Sequence, residues 1–245
     1  MGFDKKNQKI VPSLILVAGG FATRLYPTTK KIPKSMIDIN GKPFIYHQLK
    51  LLKQNGIESV IICVGYLSQQ IMDYVDNGKK FGLEISYSIE NSANLLGTGG
   101  AVKKAIGNFS QENFFVMYGD SYLDVDLAAI WQYYQESQKA GLMTVIKNNN
   151  QWDKSNVLFE NGEIINYSKD NFSQDMEYID YGISIFNKKK FFTLSQNDIK
   201  FDLAKIHIQL IEKKQLAGYE VFKRFYEIGS SSGIKELQQL LNQKQ

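Results

Sequence analysis

The chain has 245 residues but only one cysteine and two histidines, and no apolar run in it is long enough to span a membrane. Cys63 alone excludes an intrachain disulfide and a metal site built from several cysteines. Its place in an apolar, strand-like run favours a small buried residue over a nucleophile. Because His47 and His207 are the only histidines, the sequence argues against histidine metal clusters and histidine-based triads.

The charge pattern argues against a nucleic-acid partner. The net charge is +4, and no basic residues are interleaved with aromatic ones as on a nucleic-acid surface, so no nucleic-acid partner is expected. No secretory signal precedes the first apolar run and no membrane contact is expected, so we predict a cytoplasmic protein. The sequence leaves the oligomeric state, including a homo-oligomer, open.

Residues 13–150 alternate between strand-like and helix-like segments. Uninterrupted apolar strands separated by helices are typical of a parallel sheet covered on both faces. Strands are predicted at residues 13–20, 59–66, 84–90, 113–120 and 142–147, and helices at 43–55, 68–75, 99–106 and 127–140.

The pattern changes after residue 150. Asn161-Gly162 between two short strand-like runs predicts a hairpin. Further strands are predicted at residues 156–159, 163–167, 178–186 and 219–228, and helices at 203–214 and 233–242. We interpret this half as a small, partly antiparallel extension of the same sheet. No linker or repeat divides the chain, so we predict a single α/β domain over residues 1–245, with residues 1–12 flexible.

The most informative stretch is LVAGGFATRLYPTTKKIPK, residues 16–34. An apolar strand runs into a loop of small residues that carries two cations, Arg24 and Lys34. Small residues let the backbone approach a ligand and offer its N–H groups, while arginine and lysine bind phosphate oxygens. The loop therefore predicts a nucleoside triphosphate site, with Ala18, Gly19, Gly20 and Thr23 as nucleotide-binding residues.

Two carboxylates are candidate Mg²⁺ ligands. Asp120 ends a strand in YGDSY and should lie at the same sheet edge as the opening loop, because ligands bind at the carboxyl ends of strands. Glu227, in FYEIGS, is acidic among apolar residues. Mg²⁺ prefers oxygen ligands and few protein contacts. The alternatives are a turn-capping aspartate and a glutamate on the solvent face of an edge strand.

Other polar residues are candidates for the remaining contacts. Glu90 ends a strand, and its carboxylate could accept the two N–H groups of guanine. Gly97 and Thr98 belong to GTGG, where the glycines could press against a base and Thr98 could cap the following helix. Lys169, Asp180 and Gly182 are candidates for the second substrate. Each of these residues could equally be an ordinary strand-end or loop residue.

Together these motifs resemble the sugar-phosphate nucleotidyltransferases, which open with G-G-x-G-T-R-L-x-P-T followed by P-K. Here the signature reads GGFATRLYPT at residues 19–28, then Pro33-Lys34. LLGTGGAV, YGDSYL, YIDYGI and YEIGSSSGI follow in the family's order, so the resemblance covers nearly the whole chain from residue 13. The compact length and YGDSYLDVDL resemble the D-glycero-D-manno-heptose 1-phosphate guanylyltransferases most.

The resemblance implies a Rossmann-like nucleotidyltransferase fold that binds nucleoside triphosphate (GTP favoured) in residues 13–150 and a sugar 1-phosphate (heptose 1-phosphate favoured) in residues 151–245. It implies that the sugar phosphate attacks the α-phosphorus in line and that pyrophosphate leaves. The implied roles are β/γ-phosphate contact for Arg24, α-phosphate and sugar phosphate contact for Lys34, nucleoside contact for Gly19, Gly20, Glu90 and Gly97, Mg²⁺ binding for Asp120 and Glu227, and sugar phosphate contact for Lys169 and Gly182.

The chain departs from the family's pattern at three positions. Ala22 replaces the third glycine of the signature, Glu227 replaces an aspartate, and Ser168 stands where many relatives have glutamate. Two alternatives to a sugar-phosphate nucleotidyltransferase stay open. One is a cytidylyltransferase acting on a phospho-alcohol or phospho-amine, which shares the opening motif. The other, suggested by Ala22 and Glu227, is a nucleotide-binding homologue with weak catalysis.

Overall fold

The computed structural model describes residues 11–107 and 109–243. Most of the segment predicted to be flexible, residues 1–12, lies outside this part of the chain. Val11 and Pro12 are described, and both are buried.

Strands and helices alternate along the described residues. The strands are β1 (Leu14–Val17), β2 (Asp38–Ile39), β3 (Lys42–Pro43), β4 (Ser59–Val64), β5 (Glu84–Ile89), β6 (Asn113–Tyr118), β7 (Ser121–Tyr122), β8 (Gly141–Lys147), β9 (Val157–Glu160), β10 (Glu163–Tyr167), β11 (Tyr178–Asn187), β12 (Leu216–Glu220) and β13 (Tyr226–Glu227). The α-helices are α1 (Phe44–Gln54), α2 (Ser68–Val75), α3 (Gly97–Ala105), α4 (Leu127–Ser137), α5 (Lys188–Leu194), α6 (Ala204–Glu212) and α7 (Ser231–Gln243).

Nine of the strands form one sheet in the order β5-β4-β1-β6-β11-β8-β12-β10-β9. The four strands β5, β4, β1 and β6 pair in parallel. β11 runs antiparallel between β6 and β8, β12 is parallel to β8, and β9 and β10 form an antiparallel edge. The predicted fold, a mainly parallel sheet with a small antiparallel extension, is confirmed.

The sheet is apolar on both faces because its strands alternate between two cores. Leu14 and Leu16 of β1 point to a core shared with α1, α2 and α4. Ile15, between them, points to the opposite core, which α3 and α6 cover. Cys63 is fully buried in this second core, as its sequence context predicts. Burying apolar side chains on both faces is what a parallel sheet requires.

The hairpin at Asn161-Gly162 is confirmed. Asn161 and Gly162 have φ angles of 50° and 81°, which match the positive values of a type I′ turn. β9 and β10 pair antiparallel on either side of it.

The prediction of one strand over residues 219–228 is wrong. β12 ends at Glu220, where the N–H of Val221 makes a last bond to the carbonyl of Val145. The chain then leaves the sheet, leaves Phe222 86% exposed, and returns as β13 in a separate two-stranded ribbon with β7. Alternation of apolar residues continued through the break, so the sequence pattern concealed it.

Helix α5 was not predicted. Its sequence, KKKFFTL, lacks an apolar repeat, and the helix begins where the Asn187 side chain accepts a hydrogen bond from the N–H of Lys190. Among the helices of the described residues, none has the length and apolar character needed to cross a bilayer.

Candidate active site

The opening loop and Asp120 meet at one edge of the sheet, as predicted. β1 and β6 are adjacent and parallel, with Val17 opposite Tyr118. The next residues therefore leave the same edge, and the N–H of Gly119 donates to the carbonyl of Val17 at 2.8 Å. A side chain at residue 119 would lie 2.8 Å from the Cβ of Ala18, so only glycine permits this approach.

A cavity of about 210 Å³ lies at this edge, and we call it the central cavity. It gathers residues from the opening loop, from the start of α3 and from the end of β6. Five of the predicted site residues line it: Ala18, Gly20, Lys34, Thr98 and Asp120. Its wall therefore combines small residues, one cation and one carboxylate, which is a composition suited to a phosphate ester.

Lys34 and Asp120 form an ion pair in this cavity, with 2.7 Å between Nζ and Oδ2. The Lys34 side chain is 20% exposed and that of Asp120 is 37% exposed, so both remain within reach of a ligand. Lys34 begins a single-turn 3-10 helix after Pro33, which directs the lysine back over the sheet edge. Sequence reasoning placed both residues at the site but did not anticipate that they contact each other.

Glu227 reaches the same site through the ribbon of β7 and β13. Glu227 lies opposite Ser121, and the N–H of Ile228 donates to the carbonyl of Asp120 at 3.0 Å. A Cβ placed on Gly229 would lie 3.6 Å from Lys34 Nζ and 4.0 Å from Glu227 Oε2. The two carboxylates and the ammonium group therefore surround one region.

The carboxyl group of Glu227 has the carboxylate of Asp120 and the ammonium group of Lys34 among its charged neighbours. The residue as a whole is exposed, but its carboxyl group lies among protein atoms that partly bury it. This burial, with the negative charge of Asp120, raises the pKa of Glu227 to about 7 against the opposing charge of Lys34. Carboxylate oxygens are the kind of ligand that Mg²⁺ prefers, so Asp120 and Glu227 are the residues here that could hold such an ion. No cluster of three or more potential metal ligands occurs among the described residues.

The opening loop contains a backbone conformation that favours glycine. Ala22 has φ 51° and ψ 47°, in the left-handed region. The Thr29 hydroxyl donates to the carbonyl of Ala22 at 2.8 Å, which fixes the turn. A left-handed L-residue costs about 1–2 kcal/mol. Ala22 is therefore a strained residue, and it also lines the central cavity.

Arg24 lies apart from Lys34. Thr23 and Arg24 form an exposed single turn of 3-10 helix, and Arg24 lines a neighbouring cavity of about 250 Å³. Glu227 lines that cavity too, together with Asp153 and Arg224. Glu227 therefore lines the same cavity as Arg24, while its carboxyl group also feels the charge of Lys34.

Glu90 is only 7% exposed and lies beside the glycines of the opening loop. Its Oε1 accepts a hydrogen bond from the N–H of Leu96 at 2.9 Å. Its Oε2 would be 3.1 Å from a Cβ on Gly19, so a larger residue there would crowd the carboxylate. Each carboxylate oxygen can accept two bonds, so Glu90 retains acceptor capacity toward the loop.

The GTGG sequence behaves differently from the prediction. Gly97 has φ 75°, and a Cβ there would lie 2.6 Å from the carbonyl oxygen of Phe201; at Gly99 it would strike the Phe201 ring at 2.3 Å. These glycines press against protein rather than leaving a face open for a base. The prediction that Thr98 caps α3 is also wrong, because α3 begins at Gly97 and the Thr98 hydroxyl accepts from the N–H of Leu203.

Asp180 and Gly182 form a bulge in β11. The pairing register with β8 shifts between Asp180 and Ser184, and Gly182 has φ 101°. Asp180 Oδ1 accepts from the N–H of Gly182 at 2.9 Å, and the Tyr167 hydroxyl donates to Oδ2 at 3.3 Å. Burial raises the pKa of Asp180. The carboxylate therefore holds the bulge.

Lys169 pairs with Asp202, at 2.7 Å between Nζ and Oδ1. Its ammonium group lies 5.9 Å from the ring centre of Tyr118, a residue that lines the central cavity. Lys169 thus adjoins the site from the second half of the chain. Ser168 lies in a turn, where its hydroxyl accepts a hydrogen bond from the N–H of Asn171 at 2.8 Å.

Three residues of this region were missed by sequence reasoning. Tyr118 and Ser35 line the central cavity, and each has a buried hydroxyl that lacks a hydrogen-bond partner in the described residues. Tyr118 is the first residue of the quoted motif YGDSY and Ser35 directly follows Pro33-Lys34, so their place in the sequence was the available signal. Asp202 lies 33 residues beyond Lys169 in an irregular segment, and no local pattern marks it.

Comparison with known proteins identifies the family of this chain. The model of the nucleotidyl transferase family matches residues 13–244. The chain belongs to the nucleotidyl transferase family. It is 29% identical over 229 residues to a D-glycero-alpha-D-manno-heptose 1-phosphate guanylyltransferase of Aneurinibacillus thermoaerophilus, covering 93% of this chain and 97% of the relative.

A second relative and a solved structure are also similar to this chain. A relative of the same name from Campylobacter jejuni is 40% identical over 116 residues, 47% of this chain and 51% of the relative. The structure of HddC from Yersinia pseudotuberculosis complexed with GMP-PN superposes with a TM-score of 0.76 at 24% identity, covering 94% and 99% of the two chains. The resemblance predicted from the motifs is confirmed, and the structural likeness confirms the fold.

Proposed function

We propose that this member of the nucleotidyl transferase family condenses GTP with a heptose 1-phosphate to give GDP-heptose and pyrophosphate. The observation that carries the proposal is the meeting of Lys34, Asp120 and Glu227 around one region beside the opening loop. The similarity to guanylyltransferases of heptose 1-phosphate over 93% of the chain supports the choice of substrates.

The proposed reaction needs no covalent enzyme nucleophile. An oxygen of the sugar 1-phosphate attacks the α-phosphorus of GTP, a new P–O bond forms, and the bond between the α-phosphorus and the bridging oxygen to the β-phosphate breaks as pyrophosphate leaves. The attacking oxygen is already anionic, so no base has to remove a proton. The protein then contributes position and charge stabilisation. Consistently, Cys63 and His207 are fully buried.

Lys34 is placed to serve both phosphates. In the structure it pairs with Asp120. A triphosphate carries more negative charge than one carboxylate, so we propose that Lys34 turns from Asp120 to the α-phosphate and the incoming sugar phosphate. Asp120 and Glu227 would hold Mg²⁺, which supplies neutralising charge to the phosphates when it is bound. Arg24, in the neighbouring cavity, would bind the β- and γ-phosphates.

Glu90 is the residue we propose to recognise guanine. It is nearly fully buried beside Gly19, and one of its oxygens is fixed by Leu96. A fixed carboxylate suits guanine, whose N1–H and N2–H groups both donate, and it disfavours a base that presents acceptors. Gly20, where a Cβ would meet nothing within 4 Å, leaves the space beside the loop open.

The test is a panel of ATP, GTP, CTP, UTP and dTTP, each offered with heptose 1-phosphate and with a phospho-alcohol or phospho-amine, followed by release of pyrophosphate. We expect GTP to be the best substrate, and Glu90→Gln to lower kcat/KM for GTP by about 10–100-fold, because a buried donor would then face the donors of guanine. Glu84→Gln, at the exposed start of β5, the strand that Glu90 directly follows, is the matched control and should leave the rate unchanged.

The other outcomes separate the alternatives. Turnover of CTP alone with a phospho-alcohol or phospho-amine would indicate a cytidylyltransferase. Preference for UTP or dTTP would contradict the role of Glu90 but retain the sugar 1-phosphate chemistry. Nucleotide binding without pyrophosphate release from any of these pairs would indicate a homologue with weak catalysis.

A further inference from the structure

An irregular segment from the second half of the chain is bound along the start of α3. We call residues 195–203 the crossing segment. The N–H of Phe201 donates to the carbonyl of Leu96 at 2.9 Å, and the carbonyl of Phe201 accepts from the N–H of Gly99 at 3.0 Å. Lys103 donates to the carbonyl oxygens of Ser195 and Asp198 at 2.6 and 2.7 Å. Hydrogen bonds therefore join the crossing segment and the start of α3 into one unit.

The glycines make this close approach possible. A Cβ on Gly97, Gly99 or Gly100 would come within 2.3–2.6 Å of atoms in the crossing segment. Backbone atoms cannot give way at such distances as the end of a flexible side chain can. The unit also reaches Glu90, because the N–H of Leu96 is bound to the Glu90 carboxylate.

Asp202 lies at the end of the crossing segment and joins several groups. Its Oδ1 accepts from Lys169 Nζ at 2.7 Å and from the N–H of Ala204, at the start of α6, at 2.8 Å. The Thr98 side chain is also hydrogen-bonded to it. Burial opposes its charge, but the bonds from Lys169, Ala204 and Thr98 prevail and lower the pKa of Asp202. The residue is thus a carboxylate at neutral pH.

Lys169 keeps donors to spare in this arrangement. Its ammonium group has three N–H donors, and Asp202 is the partner that fixes its position. The Lys169 side chain is 39% exposed, so a ligand can reach the remaining donors. The Lys169 side chain has four methylene groups and rotates about the bonds between them. The ion pair with Asp202 restricts this rotation in advance, so a bound phosphate loses less conformational entropy in ordering the side chain.

We infer that Asp202 is a positioning residue that holds Lys169 toward the sugar 1-phosphate. Through the crossing segment, Asp202 also ties Lys169 to the start of α3. This inference rests on the proposed function. Asp202 does not touch the reacting atoms; it acts through Lys169. Its effect should therefore appear in the binding of the sugar 1-phosphate and not in that of the nucleotide.

The test replaces Asp202 by asparagine, which keeps an oxygen acceptor for Ala204 and Lys169 but removes the charge. The matched control is Asp198→Asn, in the same segment, where the carboxylate pairs with the exposed Lys205 at 2.8 Å. For Asp202→Asn we expect the KM for the sugar 1-phosphate to rise about tenfold while kcat and the KM for the nucleotide change less than about threefold. Asp198→Asn should match the wild type.

A double-mutant cycle identifies the route of the effect. Lys169→Met should raise the same KM, and adding Asp202→Asn to it should cause no further change, because the carboxylate then has no lysine to hold. Additive effects of the two substitutions would overturn the inference. Asp202→Ser, which also accepts from a helix N-terminus, serves as a second variant if Asp202→Asn does not fold.

A second measurement separates this inference from the proposed function. Lys169 is labelled with an amine-reactive reagent in the protein without substrates, and the rate is followed by mass spectrometry. We expect Asp202→Asn to speed labelling of Lys169 at least about threefold and Asp198→Asn to leave it unchanged. If the wild type accepts no sugar 1-phosphate, the proposed function fails while this result still tests the anchor. Equal rates of Lys169 labelling in the two variants would overturn the inference that Asp202 positions Lys169.

Discussion

Ala22 offers a prediction whose size can be worked out from one backbone conformation. Its φ of 51° and ψ of 47° place it in the left-handed region, and Thr29 holds its carbonyl there. Replacement by glycine removes a conformational cost of about 1–2 kcal/mol. Glycine also loses more entropy on folding, about 0.5–1 kcal/mol relative to alanine. The difference predicts that Ala22→Gly stabilises the protein by about 0.5–1 kcal/mol.

The assay is urea unfolding followed by circular dichroism, together with thermal unfolding. For a chain of this size the gain corresponds to a rise in Tm of about 1–4 °C. The matched control is Ala129→Gly in α4, where the helical conformation gives glycine no advantage and a loss of about 0.5–1 kcal/mol is expected. If Ala22→Gly destabilised the protein as much as Ala129→Gly does, the argument from strain would be refuted.

Three further predictions concern the metal, acid stability and the sheet edge. Glu227→Gln should raise the Mg²⁺ concentration needed for half-maximal activity at least about tenfold, measured by titration of pyrophosphate release; an unchanged titration would exclude Glu227 as a ligand. Burial lowers the pKa of His207 to about 3, below its unfolded value of 6.5, so the unfolded chain takes up the proton first. The stabilisation from neutral His207 is thus present above pH 6.5 and lost as the pH falls toward 3, by about 1.4 kcal/mol per pH unit. Urea unfolding across this range should show a shallower loss for His207→Gln, and an equal slope would contradict the argument. Gly119→Ala should destabilise by about 1–3 kcal/mol, because its Cβ would lie 2.7 Å from the carbonyl oxygen of Val17, whereas Gly20→Ala meets open space and should change stability by less than about 1 kcal/mol; equal losses in urea unfolding would contradict the steric argument.

The parallel half of the fold could be predicted because its strands are buried on both faces. β1, β4 and β6 read as continuous apolar runs, and helices separate them in the sequence. The same regularity failed at residues 219–228, where apolar alternation continues although the chain leaves the main sheet after β12 and joins β7 as β13. An alternating apolar pattern indicates which side chains face a core, but it does not indicate to which sheet their strand belongs.

The candidate site was predictable where it depends on the direction of parallel strands. The ends of β1 and β6 must lie together, and this brings Asp120 to the opening loop. The anchoring of Lys169 by Asp202 was not predictable, since it depends on a long-range contact between two irregular segments. The contacts of Gly97 and Gly99 were misread for a related reason: a glycine signals a close approach, and only the structure shows that Phe201 is what approaches.

Phosphorus NMR of the reaction between GTP and heptose 1-phosphate tests the central claim most directly, because it shows both products. The control variant is Lys31→Met, which replaces an exposed lysine of the same loop. The wild type and this control should form GDP-heptose and pyrophosphate at the same rate, with one pyrophosphate for each GDP-heptose. Lys34→Met should slow both by at least about 100-fold while leaving the fold intact by circular dichroism. Equal rates for Lys34→Met and the wild type, or no sugar nucleotide from the wild type with any nucleoside triphosphate, would contradict the account.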